Sequence, residues 1–247
     1  MTTLKDFFAR HPRTALGFSG GTDSAYLLYA GTSLGADVRP YYIKTQFQPA
    51  FELADARRLA DELGVELTVI EADILADDAV AANPPDRCYH CKRALFTLLA
   101  ERAASDGYSE LIDGTNASDD PGDRPGTRAL REMRVLSPLR ECGITKADVR
   151  RLSREAGLFT YAKPSYACLA TRVPTGRRIE AGALGRIEAA ESALRALGYD
   201  DLRVRLCEGG VRLELPESEL ERAVRGRGEI LRALDGMGRV TLDLRGR

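Results

Sequence analysis

Ala15-Leu16-Gly17-Phe18-Ser19-Gly20-Gly21-Thr22-Asp23-Ser24-Ala25-Tyr26-Leu27-Leu28 decides the fold. A short apolar run stops in two glycines and restarts as a helical pattern. That turn brings bare backbone N–H groups together with the positive end of a helix, the arrangement a phosphate requires. Outward from it, the first half alternates apolar runs near residues 14–19, 38–44, 66–72 and 109–114 with helical patterns near 24–35, 50–63 and 92–105. Glycines 35, 64 and 107 close the helices. This rhythm predicts an α/β fold with a doubly wound, mostly parallel sheet. In such sheets ligands bind beyond the carboxyl ends of the strands, where Ser19 and the segment Asp113-Gly114-Thr115-Asn116 both fall.

Residues 117–128 are too rich in Gly, Pro and Asp for a regular element and read as a loop at the rim of that site. A helix near 145–156 follows. The stretch from Phe159 to Arg178 passes Lys163-Pro164, Cys168, Pro174 and Gly176 without periodicity, so it reads as a connection. The expected division is a nucleotide domain over 1–160, a linker carrying Cys168 over 161–178, and a smaller α+β domain over 179–247 for substrate binding or oligomerisation. In that last part we expect a helix near 179–197, two strands hinged on Glu208-Gly209-Gly210, a helix near 217–234 and a final strand from Arg239.

Composition limits the partners. The 247 residues carry 36 basic and 37 acidic side chains, so the net charge gives no long-range attraction to nucleic acid. No apolar run reaches the roughly 20 residues of a membrane span. The polar N-terminus lacks a signal-peptide core, and the expected address is the cytoplasm. Five cysteines without an export signal argue for reduced thiols, free for metal or chemistry. His11 and His90 are the only histidines. A mechanism built on a histidine base has almost nothing to build with.

The residues that carry chemistry fall into several groups. Ser19, Gly20, Gly21, Thr22, Asp23 and Ser24 form the phosphate loop; they match neither the GxGxxG fingerprint nor the Walker pattern, and they point to ATP. Gly114, Thr115 and Asn116 are candidates to face the nucleotide, an ordinary turn being the alternative. Asp119, Asp123 and Arg128 are candidate magnesium or phosphate contacts, and Asp23 a candidate near magnesium. Cys88 and Cys91 lie three apart at an expected helix start, and Cys168 lies 77 residues later. Three thiolates suit a [4Fe–4S] cluster with one open iron; a structural zinc site or inert thiols are the alternatives. Cys142 and Cys207 read as structural. Arg203 and Arg205, two apart on an expected strand, project from one face and suit an anionic phosphate. Arg172 is a candidate to orient adenylate or substrate. Glu188 and Glu191 are candidate metal ligands, with a solvent-facing role as the alternative.

The loop resembles that of the PP-loop ATP pyrophosphatase superfamily, adenine nucleotide α-hydrolase-like in fold. SGGTDS, RCYHCK, DGTN with the GDRPG loop, KPSYACLATR, RVRL and VTLDLRG stand in the order seen in the LarE family of ATP-dependent sulfur transferases. The similarity spans nearly the whole chain. It implies adenylylation of pyridinium-3,5-biscarboxylic acid mononucleotide by ATP with Mg2+, and displacement of AMP by sulfur on the way to the nickel-pincer nucleotide. Cys168 aligns with the cysteine that some members sacrifice. With Cys88 and Cys91 present, the resemblance makes it a third cluster ligand that is not consumed. It also implies phosphate binding by Arg203 and Arg205, a small-molecule nucleotide substrate rather than nucleic acid, a homo-oligomer, a sulfide donor and a downstream nickel-inserting protein. Alternatives are a tRNA thiolase of the same superfamily, an amidotransferase-like synthetase, and an ATP-binding regulator with structural zinc.

Overall fold

Arg13–Gly17, the strand ahead of the glycine loop, lies inside the first of two sheets. The chain is described from a computed structural model covering residues 2–119 and 125–246. Its elements run α1 (Leu4–Arg10), β1 (Arg13–Gly17), α2 (Thr22–Ser33), β2 (Asp37–Lys44), α3 (Ala50–Glu62), β3 (Thr68–Glu71), α4 (Asp78–Ala81), α5 (Arg87–Ser105), β4 (Leu111–Ile112), α6 (Pro125–Glu132), α7 (Pro138–Glu141) and α8 (Lys146–Glu155). Then come α9 (Ala181–Ala196), β5 (Arg203–Cys207), β6 (Gly210–Glu214), α10 (Glu217–Arg225), α11 (Arg227–Ala233) and β7 (Arg239–Leu242).

Two compact units divide the chain: Met1–Ile74 with Asp86–Ser165, and Leu75–Pro85 with Tyr166–Arg247. The stretch read as a linker over 161–178 is therefore split, and Cys168 falls in the second unit. Leu75–Pro85 joins that unit although it lies far upstream. Buried Asn83 explains why: its side-chain amide donates to the carbonyls of Val173, Pro174 and Arg177, and its own carbonyl accepts from Gly176.

The first unit is an α/β fold around a parallel sheet in the order β3-β2-β1-β4. Alternation along the strands sends Leu16, Val38, Tyr42 and Ile112 into a core with Leu27 and Leu28 of α2, Leu59 of α3 and Val149 of α8. Ala15, Tyr41 and Leu111 face the other way, onto Leu99 and Ala103 of α5. The sheet is thus covered on both faces, and each fully buried leucine contributes about 1.5–3 kcal/mol. Strand order reverses between β1 and β4, where a ligand crevice is expected.

The second unit is a mixed sheet, β5 antiparallel to β6 and β6 parallel to β7. It packs through Val204, Val211 and Leu213 on Leu194 of α9 and Ile230 of α11. The single helix expected over 217–234 is two helices, because Gly226 ends α10 and begins α11. Among the described residues, no helix is long and apolar enough to cross a membrane.

Candidate functional site

The glycine loop leaves the start of α2 without a side-chain cap. Gly21 is the N-cap of α2 and has no side chain to bond the first-turn amides. Gly20 adopts φ +69°, a conformation that favours glycine. Ser19 and Ser24 brace the turn: their hydroxyls lie 3.1 Å apart, the Ser19 amide donates to the Ser24 oxygen at 3.3 Å, and the Gly21 amide donates to the Ser19 oxygen at 3.3 Å. Thr22 is turned inward, its hydroxyl donating to the Thr160 carbonyl at 2.9 Å.

Gly114 explains how the second motif reaches the loop. A Cβ there would lie 2.8 Å from the Ser24 nitrogen, so only glycine lets the end of β4 approach the start of α2 this closely. Asp113 fastens the segment, accepting from the Thr115 amide at 3.2 Å and from Ser137 Oγ at 2.8 Å. Asn116 Nδ2 donates to Asp23 Oδ1 at 3.3 Å. Asp119 turns back onto its own loop, accepting from the Asn116 amide at 2.9 Å. Asp123 lies outside the described residues.

Two lysines stand at this loop that the motif reading did not single out. Lys146 Nζ donates to Asp23 Oδ2 at 2.5 Å, so both oxygens of Asp23 are taken by protein donors. Lys146 therefore stands beside the carboxylate expected near magnesium. Lys163 Nζ donates to Asp55 Oδ2 at 2.6 Å and to the Gly20 carbonyl at 3.2 Å. One signal for Lys146 was readable: Thr145 and Asp148 form a capping box that makes Lys146 the first residue of α8. Lys163 carried no such signal; Arg150, whose Nη1 and Nη2 donate to the Tyr161 and Lys163 carbonyls, fixes it by tertiary contact.

Cys88 and Cys91 occupy the first turn of α5, which begins at Arg87 rather than near 92. Their i, i+3 spacing puts both on one face. Cys88 is exposed, Cys91 is half-buried, and Arg87 Nη2 lies 3.8 Å from Cys88 Sγ. His90 points to Asp86, with Nε2 3.4 Å from Oδ2. Arg128, expected at the nucleotide phosphates, instead stacks on Tyr89 of the same helix at 4.3 Å and pairs with Glu132. None of the five cysteines is in a disulfide. Cys142 packs against the main core, and burial pushes its thiol up. Within neither unit do three His, Cys, Asp or Glu side chains gather as a ready metal site among the described residues.

In the second unit Cys168 precedes a short turn, Leu169–Arg172. Thr171 closes it, its amide and hydroxyl both donating to the Cys168 carbonyl, at 3.0 and 2.9 Å. Arg172, expected to orient adenylate or substrate, is fully enclosed, and its guanidinium pairs with Glu191 at 2.8 and 3.1 Å. Burial opposes the Arg172 charge, and the Glu191 bonds and charge more than offset it, so its pKa is raised. Glu191 has no exposed side-chain surface, which corrects the solvent-facing alternative. Its carboxylate also accepts from Tyr166 and from the Val204 amide, so it ligates protein rather than a metal. Glu188 lies half-buried on α9, one turn earlier. Arg203 and Arg205 flank buried Val204 and share the opposite face of β5. Arg205 donates to the Thr171 carbonyl and pairs with Glu214 at 2.7 Å, which places it on the Cys168 turn.

No family model matches the chain. Among individual proteins, it is 35% identical to an uncharacterised protein of Synechocystis sp., over all of this chain and 94% of the other. It is 33% identical, again over its whole length and 89% of the relative, to a pyridinium-3,5-bisthiocarboxylic acid mononucleotide synthase of Lactiplantibacillus plantarum. A tRNA-specific 2-thiouridylase of Thermotoga petrophila is similar at 23% over 61% of the chain, in line with a PP-loop fold. With its glycine loop after β1, next to β4 in the sheet, and this likeness over the whole chain, the chain belongs to the LarE family of pyridinium-3,5-bisthiocarboxylic acid mononucleotide synthases.

Proposed function

We propose that the protein is an ATP-dependent sulfur transferase that converts the carboxylates of pyridinium-3,5-biscarboxylic acid mononucleotide to thiocarboxylates, on the way to the nickel-pincer nucleotide. The observation that carries this reading is the uncapped start of α2 beside Gly114, in a chain similar over its full length to the Lactiplantibacillus plantarum synthase.

A carboxylate is a poor electrophile until it is activated. Its oxygen attacks the α-phosphorus of ATP, the α–β bridge breaks, and pyrophosphate leaves. The amides of Thr22, Asp23 and Ser24 at the start of α2 face the departing charge, and Lys146 and Lys163 add cations beside them. Magnesium would be held chiefly by the nucleotide phosphates, with protein carboxylates supplying at most one or two of its ligands. Sulfur then attacks the acyl carbon of the adenylate, and AMP leaves with the C–O electron pair. Each cycle consumes one ATP and one sulfur, and two cycles convert both carboxylates. Arg203 and Arg205 take the substrate phosphate.

Cys88, Cys91 and Cys168 are the residues to hold a [4Fe–4S] cluster. Their donor chemistry fits, since all three are uncrosslinked and the first two share a helix face. A cluster there supplies sulfur already as an anion, so a chain with two histidines needs no histidine base. The enzyme works in the cytoplasm as a homo-oligomer, between a sulfide donor and a nickel-inserting protein.

The likeness to 2-thiouridylases favours tRNA as the second reading of the acceptor. Release of AMP and pyrophosphate separates the readings. The sulfur transferase releases both with the pyridinium mononucleotide, a tRNA thiolase only with tRNA, and an ATP-binding regulator with neither.

A further inference from the structure

The second unit contains a buried polar cluster whose members all end on the turn that carries Cys168. Glu191 sits on α9 with no exposed side-chain surface. It binds both arms of the Arg172 guanidinium, at 2.8 and 3.1 Å, and the Tyr166 hydroxyl donates to it at 2.6 Å. The remaining arm of Arg172 donates to the Ala167 carbonyl at 2.7 Å and to Thr171 Oγ1 at 3.0 Å. Tyr166 is also stacked, 4.6 Å from the Arg172 guanidinium and 5.1 Å from that of Arg195. The residues on both sides of Cys168 are therefore tied to one carboxylate, while its own carbonyl is held by Thr171.

A buried charged network of this kind is expensive unless every member is satisfied, and simple packing would stabilise the unit as well. What it adds is a fixed geometry. We propose that Glu191, acting through Arg172 and Tyr166, is a positioning residue for sulfur transfer that holds the Ala167–Thr171 turn so that Cys168 presents its thiolate, as a ligand that is not consumed, in one place. The inference rests on the sulfur-transferase reading and deepens it. It assigns Glu191 and Arg172 to the shape of the segment that carries Cys168 rather than to contact with metal or adenylate. A sulfur delivered about 1 Å out of place loses much of its advantage over water, because reactivity depends steeply on the near-attack distance.

The consequence is a loss of coupling rather than of activation. The adenylate would still form at the glycine loop, but more of it would be hydrolysed before sulfur arrives. The test uses the full chain with ATP, the pyridinium mononucleotide and sulfide, and measures pyrophosphate and thiocarboxylate in the same reaction. Tyr166→Phe removes one hydrogen bond while keeping the ring, and it is expected to leave pyrophosphate release within about twofold while thiocarboxylate per pyrophosphate falls about fivefold or more. Arg172→Lys keeps the charge but cannot bridge Glu191 and Ala167 together, and the ratio falls further. Hydrogen exchange at the amides of residues 167–171 should quicken in both variants. If the ratio and the exchange stay at the wild-type values in Tyr166→Phe, the positioning role is overturned. Cys168→Ala serves as the separate arm: continued thiocarboxylate formation there would overturn the assignment of Cys168 itself. Lost product in Cys168→Ala with unchanged coupling in Tyr166→Phe would overturn only the positioning role.

Discussion

Lys146 Nζ lies 2.5 Å from Oδ2 of Asp23, joining the first residue of α8 to the first turn of α2. The pair puts a cation at the anion-binding end of α2, where it offsets Asp23 and stands beside any phosphate on the loop. Lys146→Met should lower pyrophosphate release about a hundredfold, the usual cost of losing one preorganised donor to a developing anion. Steady-state pyrophosphate assays check this, with circular dichroism to verify the fold. A rate within threefold of wild type would remove Lys146 from the mechanism.

Gly114→Ala tests the approach of β4 to α2. The added Cβ would lie 2.8 Å from the Ser24 nitrogen and 3.1 Å from its Cα, both backbone atoms that cannot swing aside. The loop must move, at a cost of about 1–3 kcal/mol. The expected result is a KM for ATP raised about tenfold or more, with the sulfide KM unchanged.

Glu214 in the second unit pairs with Arg205 at 2.7 Å and Arg212 at 3.0 Å. Burial works to raise its pKa, but the two arginines outweigh burial and hold it below its ordinary value of 4.5. A depressed carboxylate stabilises the fold above its unfolded pKa, and that contribution is lost as pH falls through the folded one. Glu214→Gln should therefore cost about 1–2 kcal/mol at neutral pH, and the gap to wild type should close as the pH falls from the ordinary carboxylate value through the lowered folded one. Denaturant titrations across that range measure it.

Anaerobic reconstitution with iron and sulfide should give a brown, oxygen-sensitive protein. Cys88→Ala should lose the charge-transfer absorbance, since Cys88 is an exposed thiol on the first turn of α5. A colourless protein with stoichiometric zinc would contradict the cluster assignment.

The doubly wound sheet was legible because its signals are local. The glycine turn, the short apolar runs and the glycine helix ends of residues 14–114 need no distant partner to be read. Arg172 and Glu191 were legible as residues but not in their roles. An arginine next to a cysteine motif reads as ligand-facing, and only the packing of α9 buries it against Glu191. Lys163 was equally hidden, because Asp55 and the Gly20 carbonyl meet it only in the folded unit. The stacking of Arg128 was hidden for a similar reason: proximity in sequence to the Gly114-Thr115-Asn116 motif suggested a phosphate contact, and only the packing of α6 shows it over Tyr89. The split of the chain after Ile74 and before Asp86 left no compositional mark, since it depends on tertiary bonds, those of buried Asn83 together with Ile179–Ala81 and Arg178–Asp78.

The central claim is most directly tested by mass spectrometry of the small-molecule product. The purified full-length protein, reconstituted anaerobically and given ATP, Mg2+, sulfide and pyridinium-3,5-biscarboxylic acid mononucleotide, should replace one carboxylate oxygen by sulfur on each carboxylate, with one AMP per exchange and the mass of the protein unchanged. AMP formed without sulfur in the product, or no AMP at all, would contradict the account.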